Sequence, residues 1–300
     1  MEPWVWITFG AALAQTFRFM LQKHLSTGRL SAAGTTFARF AFSAPLAALI
    51  AVGYGQVSAQ PIPAIPPAFW GYALIGGISQ IIGTVFVVLL FGHRNFAVGI
   101  TFKKTEVILS VLMGLLILGE GISWTGFGVI LLGLVGVLLL SDPPGGQGRW
   151  LRRISNRVAG LGLASGVFFG ISGVGYRGAS LSLDGGDAFL RAVVTLVCVT
   201  TLQTLLLGAW LVWRERGQVR AVFAAWRVAA LVGLTSLAGS ICWFTAFTLQ
   251  TVAYVNAVGQ VELIFSLAAS ALVFRERITT REVVGVVLLT VSIMALVLVA

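Results

Sequence analysis

The sequence is poor in the residues that perform polar chemistry. Only 10% of its 300 residues are charged, and it has two cysteines and two histidines. Cys198 and Cys242 lie inside apolar runs and offer no disulfide or metal framework. His24 and His93 lie at the ends of such runs, with no cluster of acidic residues beside them. Metal or acid–base catalysis needs such groups to converge. We therefore expect a protein that is not an enzyme and that holds neither a metal nor a cofactor.

Apolar residues make up 58% of the chain, and the mean hydropathy of +0.96 exceeds what a soluble domain tolerates. A helix that crosses a bilayer needs about 20 apolar residues. Ten such windows lie at about 4–23, 32–52, 69–91, 96–118, 124–140, 158–182, 188–213, 227–249, 253–274 and 280–299. These windows, called spans one to ten, predict an all-α integral membrane protein with ten transmembrane helices. We expect it in the plasma membrane, the inner membrane of a bacterium.

The basic residues are distributed unevenly between the two sides of the predicted membrane. If the spans alternate in direction, fourteen of the 20 lie in loops on one side of the membrane and none in loops on the other. The positive-inside rule makes that side cytoplasmic and places both termini outside. Because the charge is spread over these loops, we expect no nucleic-acid partner; the expected partners are the lipid bilayer and a small-molecule substrate. The six other basic residues lie within spans: Arg18, Arg39, Lys103, Lys104, Arg177 and Arg191.

The chain contains an internal repeat. A shift of 156 residues superimposes, without a gap, the pairs Trp70/Trp226, Glu106/Glu262, Ser110/Ser266 and Glu120/Glu276. We predict a first five-helix repeat over 1–140, a cytoplasmic linker over 141–157 and a second five-helix repeat over 158–300. Because five is an odd number, the repeats insert with opposite orientations, as in many secondary transporters, whose substrate site lies near the midplane. We expect a monomer that works by alternating access.

Span four contains charges at bilayer depth, where each costs about 2.5–3.5 kcal/mol and needs a partner or water. Lys103 and Glu106 are three residues apart and are expected to pair. Lys104 lies about 100° around the helix; we expect it to face a watery cavity and to bind the anionic end of a substrate. Asn256 and Gln260 present polar groups on the matching face of span nine, and we expect that face to line the cavity and bind substrate as well. The alternative is that both lysines only hold helices together.

Other residues within the spans allow two interpretations each. Glu262 has no basic residue three positions before it, so it either carries a proton or bridges to a basic residue of another span. The arginines are expected to snorkel to the interface, or else to form gating charge pairs: Arg18, Arg39, Arg177 and Arg191. Four further side chains are candidates to line the cavity, with packing or an interfacial belt as the alternative: Gln80, Tyr176, Trp243 and Tyr254.

The stretches TEVILSVLMGLLILGE (105–120) and VELIFSLAASALVFRE (261–276) each hold two glutamates fourteen residues apart. In these motifs, and in Arg39 and Arg191 early in the second helix of each half, the chain resembles the ten-helix EamA-type transporters of the drug/metabolite transporter superfamily. Val107 and Leu263 stand where that family often has proline. The resemblance implies a carrier of small metabolites, often amino acids moving outward, with a cavity bounded by the first, third and fourth helices of each half.

The interpretation that follows is a secondary transporter, an exporter of small metabolites such as amino acids. A lipid or lipid-linked metabolite flippase on the same fold is the alternative, because a cationic cavity also suits a phosphate head group. An integral membrane enzyme is the third class. A lateral opening lined by apolar residues would favour lipid, and a closed polar chamber would favour a soluble metabolite.

Overall fold

The computed structural model describes residues 2–26, 28, 30–91, 103–141, 157–273 and 280–299. They form the helices α1 (Pro3–Ser26), α2 (Ala32–Val57), α3 (Pro67–Phe91), α4 (Glu106–Leu118), α5 (Trp124–Ser141), α6 (Arg157–Leu181), α7 (Ala188–Arg214), α8 (Gln218–Ala224), α9 (Trp226–Leu249), α10 (Val252–Gly259), α11 (Glu262–Val273) and α12 (Thr280–Val299). Within these ranges, the β-structure is limited to one antiparallel bridge between Ala64 and Asp184. The start of span four, most of the 141–157 linker and Glu276 lie outside the described residues.

Five of the described helices are long and apolar enough to cross a membrane: α2, α3, α6, α7 and α9. Shorter apolar stretches of 10–17 residues occupy Glu106–Leu118, Trp124–Leu139, Val252–Phe265 and Val283–Val299. The predicted class, an all-helical integral membrane protein with several spans, is therefore confirmed. The number of ten spans and their inverted arrangement stay predictions.

The sequence predicted span nine as one continuous helix, but the structure divides it. In span nine, a turn at Gln260 and Val261 separates α10 from α11, and in span four a turn at Lys104 and Thr105 precedes α4. The main chain tightens at the first of these turns, because Leu263 N–H donates to the carbonyl of Gln260, three residues back, at 2.9 Å. Gln260 keeps αR dihedral angles, so the helix tightens at this turn; such a stretch inside a helix often marks a hinge or a strained sequence. The two turns occupy positions that the 156-residue repeat relates.

Local signals in the sequence fix several helix ends. Ser31 Oγ accepts from Gly34 N–H at 3.0 Å and caps α2, and Asp187 Oδ1 accepts from Leu190 N–H at 2.8 Å and caps α7. Gly119, with φ of 68°, ends α4 in the left-handed conformation that favours glycine. Proline begins α1 and α3, where its missing N–H leaves no hydrogen bond unmade.

Asp187 ties together the two loops that follow α2 and α6. The Tyr54 hydroxyl and the Gln60 amide donate to Asp187 Oδ2 at 2.7 and 2.9 Å. Burial alone would raise the pKa of the Asp187 carboxyl, but the hydrogen bonds from Leu190 N–H, Gln60 and Tyr54 lower the pKa below its ordinary value. The stability that these bonds contribute is present above the ordinary pKa of aspartate and is lost as the pH falls.

Small residues allow the helices to approach closely. The helices α3 and α6 cross at glycines, since a Cβ atom added to Gly175 would lie only 2.7 Å from Gly76 Cα. Farther along α6, a Cβ atom at Gly166 would lie 2.9 Å from the Lys103 carbonyl oxygen. This contact brings α6 against the turn in span four. Other close helix pairs are α1 with α9, α2 with α7 and α5 with α12.

Candidate functional site

A cavity lies at the centre of the bundle, where the turns in spans four and nine meet α1, α3, α6 and α9. About 50 Å³ of it is open to the centres of water-sized molecules, which is room for a few waters. Its charged and amide lining residues are Gln15, Arg18, Arg39, Gln80, Lys103, Glu106 and Asn256. Its aromatic lining residues are Phe169, Tyr176, Trp243, Phe244 and Phe247. The lining comes from the first, third and fourth spans of each half, as the resemblance implies, with Arg39 added from the second span.

Arg39 extends from α2 into this cavity and is held by hydroxyl groups. Its Nε donates to Ser236 Oγ at 2.7 Å, Nη1 to Thr84 Oγ1 at 3.2 Å and Nη2 to Ser240 Oγ at 3.4 Å. The residue is only 4% exposed. The expectation that Arg39 snorkels to the interface is therefore wrong, because α3 and α9 supply its partners inside the bundle.

Arg18 is the second arginine of the cavity, and it is 3% exposed. Its Nη2 donates to Gln15 Oε1 at 3.2 Å, while its Nη1 is buried without a hydrogen-bond partner among the described residues. The expectation that Arg18 snorkels is wrong as well. Gln15 in turn donates from Nε2 to Glu262 Oε2 at 2.9 Å. Gln15 therefore connects Arg18 to the acid at the start of α11.

The two lysines of span four face different environments, as expected. However, Lys103 and not Lys104 lines the central cavity. Lys103 Nζ lies 2.9 Å from Glu106 Oε1, so the predicted pair is confirmed, and both of its members line the cavity. Lys104 lies instead against a separate small void between α5 and α12, beside Val107 and Ile130. It is 1% exposed, and its Nζ lies 3.1 Å from Glu262 Oε2. The expectation that Lys104 faces the watery cavity is therefore wrong.

Glu262 adopts one of the two arrangements that the sequence left open. Its carboxylate bridges to Lys104, a basic residue of another span, and also accepts from Gln15. Because Glu106 and Glu262 both begin the helix that follows a turn, the positive end of each helix dipole also favours these carboxylates. A proton-carrying role for Glu262 stays a prediction.

The amide candidates of span nine have different positions. Asn256 lines the cavity and donates from Nδ2 to Ser110 Oγ at 2.7 Å, which joins α10 to α4. Gln260 lies against the small void beside Lys104, and its Nε2 donates to the Asn256 carbonyl at 3.0 Å. Tyr254 is 6% exposed, and its hydroxyl lies 3.5 Å from Ser123 Oγ at the start of α5. The expectation that Gln260 and Tyr254 line the central cavity is therefore wrong.

Tyr176 and Gln80 form the opposite wall. The Tyr176 hydroxyl donates to Gln80 Oε1 at 2.7 Å, and Gln203 Nε2 donates to the same oxygen at 3.0 Å. The ring of Tyr176 stacks on Phe244 with centroids 4.2 Å apart. Trp243 stacks on Phe247 with centroids 5.6 Å apart, and its Nε1 has no hydrogen-bond partner among the described residues. Two of the three predicted aromatics, Tyr176 and Trp243, therefore line the cavity.

The two arginines of the second half lie outside the cavity. Arg177 Nε lies 2.8 Å from Glu120 Oε2, and its Nη1 donates to the carbonyls of Phe247 and Gln250 at 2.6 and 2.9 Å. These bonds replace the expected snorkelling with a fixed charge pair. Arg191 is half-buried on α7, and its Nε has no hydrogen-bond partner within the described ranges. A gating role for Arg177 and Arg191 stays a prediction.

Several residues of the site did not stand out in the sequence. Gln15 connects Arg18 to Glu262, and Gln203 connects Tyr176 to Gln80. A signal for Gln15 was available, because Gln15, Arg18 and Gln22 follow a helical spacing that places three polar residues on one face of α1. The hydroxyl partners of Arg39 gave no such signal. Among the described residues, no group of three His, Cys, Asp or Glu could hold a metal ion.

Apolar helices around a buried, charged cavity are the arrangement found in many membrane transporters. Residues 157–298 match the EamA-like transporter family. This match confirms the resemblance of the chain to the EamA-type transporters of the drug/metabolite transporter superfamily.

A solved structure described only as "Crystal structure of protein" is similar to this chain with a TM-score of 0.66. The similarity covers 97% of this chain and 99% of that chain at 15% sequence identity. At that identity the likeness shows the fold alone. The comparison with curated proteins gave no match.

Proposed function

We propose that this chain is a secondary transporter that exports small metabolites, amino acids or other small organic anions and zwitterions, by alternating access through the central cavity. The observation that carries the proposal is the buried cavity itself, where Arg18, Arg39, Lys103 and Glu106 converge. Charged groups at this depth are costly, and in membrane proteins they mark substrate and ion pathways. The turns in spans four and nine border the cavity, as broken helices do in many transporters.

The close helix pairs support the proposed inverted repeat. In the proposed repeat, α9 is the equivalent of α3, and α1 is the equivalent of α6. The pair α3 and α6 therefore corresponds to the pair α9 and α1, and both pairs are in close contact. The pairs α2 with α7 and α5 with α12 join equivalent helices of the two halves, so the exchange leaves them unchanged. This pattern is expected when a pseudo-two-fold axis relates the repeats 1–140 and 158–300. It also supports a monomer, since each half completes the cavity of the other.

We propose that both termini lie outside the cytoplasm, in the inner membrane of a bacterium. The reason is the distribution of the fourteen basic residues over the loops. Alkaline phosphatase fused after Ala300 is expected to be active, because that enzyme matures only outside the cytoplasm, and a green fluorescent protein fused there is expected to stay dark. The opposite pair of signals would reverse the orientation.

The lining supports a soluble metabolite more than a lipid. Seven charged or amide side chains, and the hydroxyls of Ser172 and Ser240, contribute to the cavity. A lipid tail gains nothing from such groups, because their desolvation costs free energy that an acyl chain does not repay. The flippase alternative predicts that fluorescent phospholipid analogues change leaflet in reconstituted vesicles and that added amino acids do not compete.

Counterflow in proteoliposomes tests the transport function directly. Vesicles containing the purified protein are preloaded with unlabelled alanine, glutamate or succinate, and uptake of the same labelled solute is measured with and without an imposed pH gradient. We expect transient accumulation of at least one solute, and none in vesicles without protein. An effect of the pH gradient would identify proton coupling. If no solute exchanges while phospholipid analogues change leaflet, the transporter proposal fails.

A further inference from the structure

The charges around the cavity do not balance. Four buried cations lie in or beside it, namely Arg18, Arg39, Lys103 and Lys104, each between 1 and 4% exposed. Two buried carboxylates accompany them, Glu106 and Glu262. Each carboxylate forms an ion pair with a lysine, at 2.9 and 3.1 Å. Among the described residues, the two arginines therefore remain as an excess of two positive charges.

Neutral partners orient the two guanidinium groups without balancing their charge. Arg39 donates only to hydroxyls, those of Ser236, Thr84 and Ser240. Arg18 donates to the amide oxygen of Gln15, and within the described ranges no carboxylate lies within 4.0 Å of either arginine. A buried charge that is hydrogen-bonded but not paired remains strongly unfavourable. An anion that entered the cavity would remove this penalty.

Two buried hydrogen-bond donors that lack a partner among the described residues also favour an anionic ligand. Arg18 Nη1 is buried without a partner among the described residues, and so is the indole Nε1 of Trp243. Both groups are donors and neither is an acceptor. Arg18 and Trp243 both line the same cavity. A ligand rich in acceptor oxygens, such as a carboxylate or a phosphate, would satisfy them.

From this balance we propose that Arg18 and Arg39 form the binding site for a small dianion, a dicarboxylate or a phosphate monoester. The inference rests on the proposed transport function and narrows its substrate class. A dianion cancels the excess of two charges, a monocarboxylate cancels half of it, and a zwitterion leaves it unchanged. The space of about 50 Å³ for water centres favours a ligand of few atoms.

A pair of ligands that differ by one charge tests the inference. Succinate and its half-amide, succinamate, have the same number of non-hydrogen atoms and carry two charges and one charge, respectively. Binding to the purified full-length protein is measured by calorimetry in a buffer low in other anions. We expect succinate to bind at least about tenfold more tightly than succinamate, in line with the coupling of close charge pairs at buried sites. The binding of glycerol 3-phosphate is compared with that of glycerol in the same way. This comparison shows whether the site takes a phosphate monoester as well as a dicarboxylate.

Substitutions locate the effect. Arg18→Met and Arg39→Met are expected to reduce the preference for succinate over succinamate to about twofold, as one charge of the pair is lost. Arg39→Lys keeps the charge and is expected to keep most of the preference for succinate. This variant also tests the role of the charge if Arg39→Met does not fold. Arg220→Met, which removes an exposed cation, is the matched control and is expected to keep the full preference.

Two results would overturn the inference. One is that succinamate or alanine binds as tightly as succinate, with glycerol 3-phosphate no better than glycerol. The other is that none of the dianions binds. Either result, combined with counterflow of alanine, would leave the transport function standing with a zwitterionic substrate. Absence of counterflow for every solute would instead contradict the transport function itself.

Discussion

Lys104→Met is expected to remove most of the folded protein. Lys104 is 1% exposed, and its ammonium group lies 3.1 Å from the Glu262 carboxylate, whose partners also include the amide of Gln15. Methionine has a similar length but no charge, so the substitution removes the Lys104 counter-ion from a buried carboxylate. Breaking a buried pair in this way costs about 3–5 kcal/mol. The measurements are the yield of monodisperse protein and the melting temperature in one detergent.

The pair rather than the lysine alone is the unit that this substitution breaks. The double variant Lys104→Met with Glu262→Gln removes both charges and keeps an acceptor for Gln15, so we expect it to recover most of the lost stability. Arg220→Met removes a cation from an exposed position and is expected to melt like the wild type. If Lys104→Met melts normally and only transport is lost, Lys104 contacts substrate and its placement outside the cavity is contradicted.

The contrast between the two lysines shows what a sequence can predict about such a site. Lys103 and Glu106 are three residues apart, so helical geometry alone brings them together. Lys104 and Glu262 are 158 residues apart, and their contact depends on how spans four and nine pack. The sequence indicated the angle between the two lysines, but it held no information about which direction faces the cavity.

The arginines illustrate the same limit. Hydropathy places Arg18 and Arg39 near one end of their spans, where snorkelling is usual. Their burial depends on partners from elsewhere in the chain, such as Ser236 and Ser240, which lie 197 and 201 residues from Arg39. Because these helices are apolar on most faces, the sequence pattern does not fix their rotation about the helix axis.

Helix existence was predictable, and helix interruption was not. Long apolar windows predicted nearly every described helix, because spanning a bilayer requires them. The turn at Gln260 and Val261 lies in an apolar run without proline. Leu263, which stands where the family that the chain resembles often has proline, lies two residues beyond this turn. The interruption consists of tight backbone bonds, and α10 and α11 both pack against α1 on either side of it.

Arg177 joins three helix ends on the side of the bundle that is opposite to the basic loop 214–227. Its Nε contacts Glu120 just beyond α4, and its Nη1 donates to the carbonyls of Phe247 and Gln250 where α9 ends. The last carbonyls of a helix have no partners within it and carry the negative end of its dipole. Arg177 thus pairs with an acid and caps α9 at once, which holds α4, α6 and α9 together.

Arg177→Met is therefore expected to lower the melting temperature more than Glu120→Gln. Charge-assisted hydrogen bonds are worth about 1.5–3 kcal/mol each; the arginine variant loses the bonds to Glu120 and to both carbonyls, whereas the glutamine variant keeps the carbonyl bonds and an acceptor for Nε. Arg227→Met removes an exposed cation at the start of α9, the helix whose end Arg177 caps; this variant is the control and is expected to change little. Thermal unfolding of the four proteins in one detergent decides the order. If Glu120→Gln is as damaging as Arg177→Met, the ion pair carries the effect and the cap on α9 contributes nothing measurable.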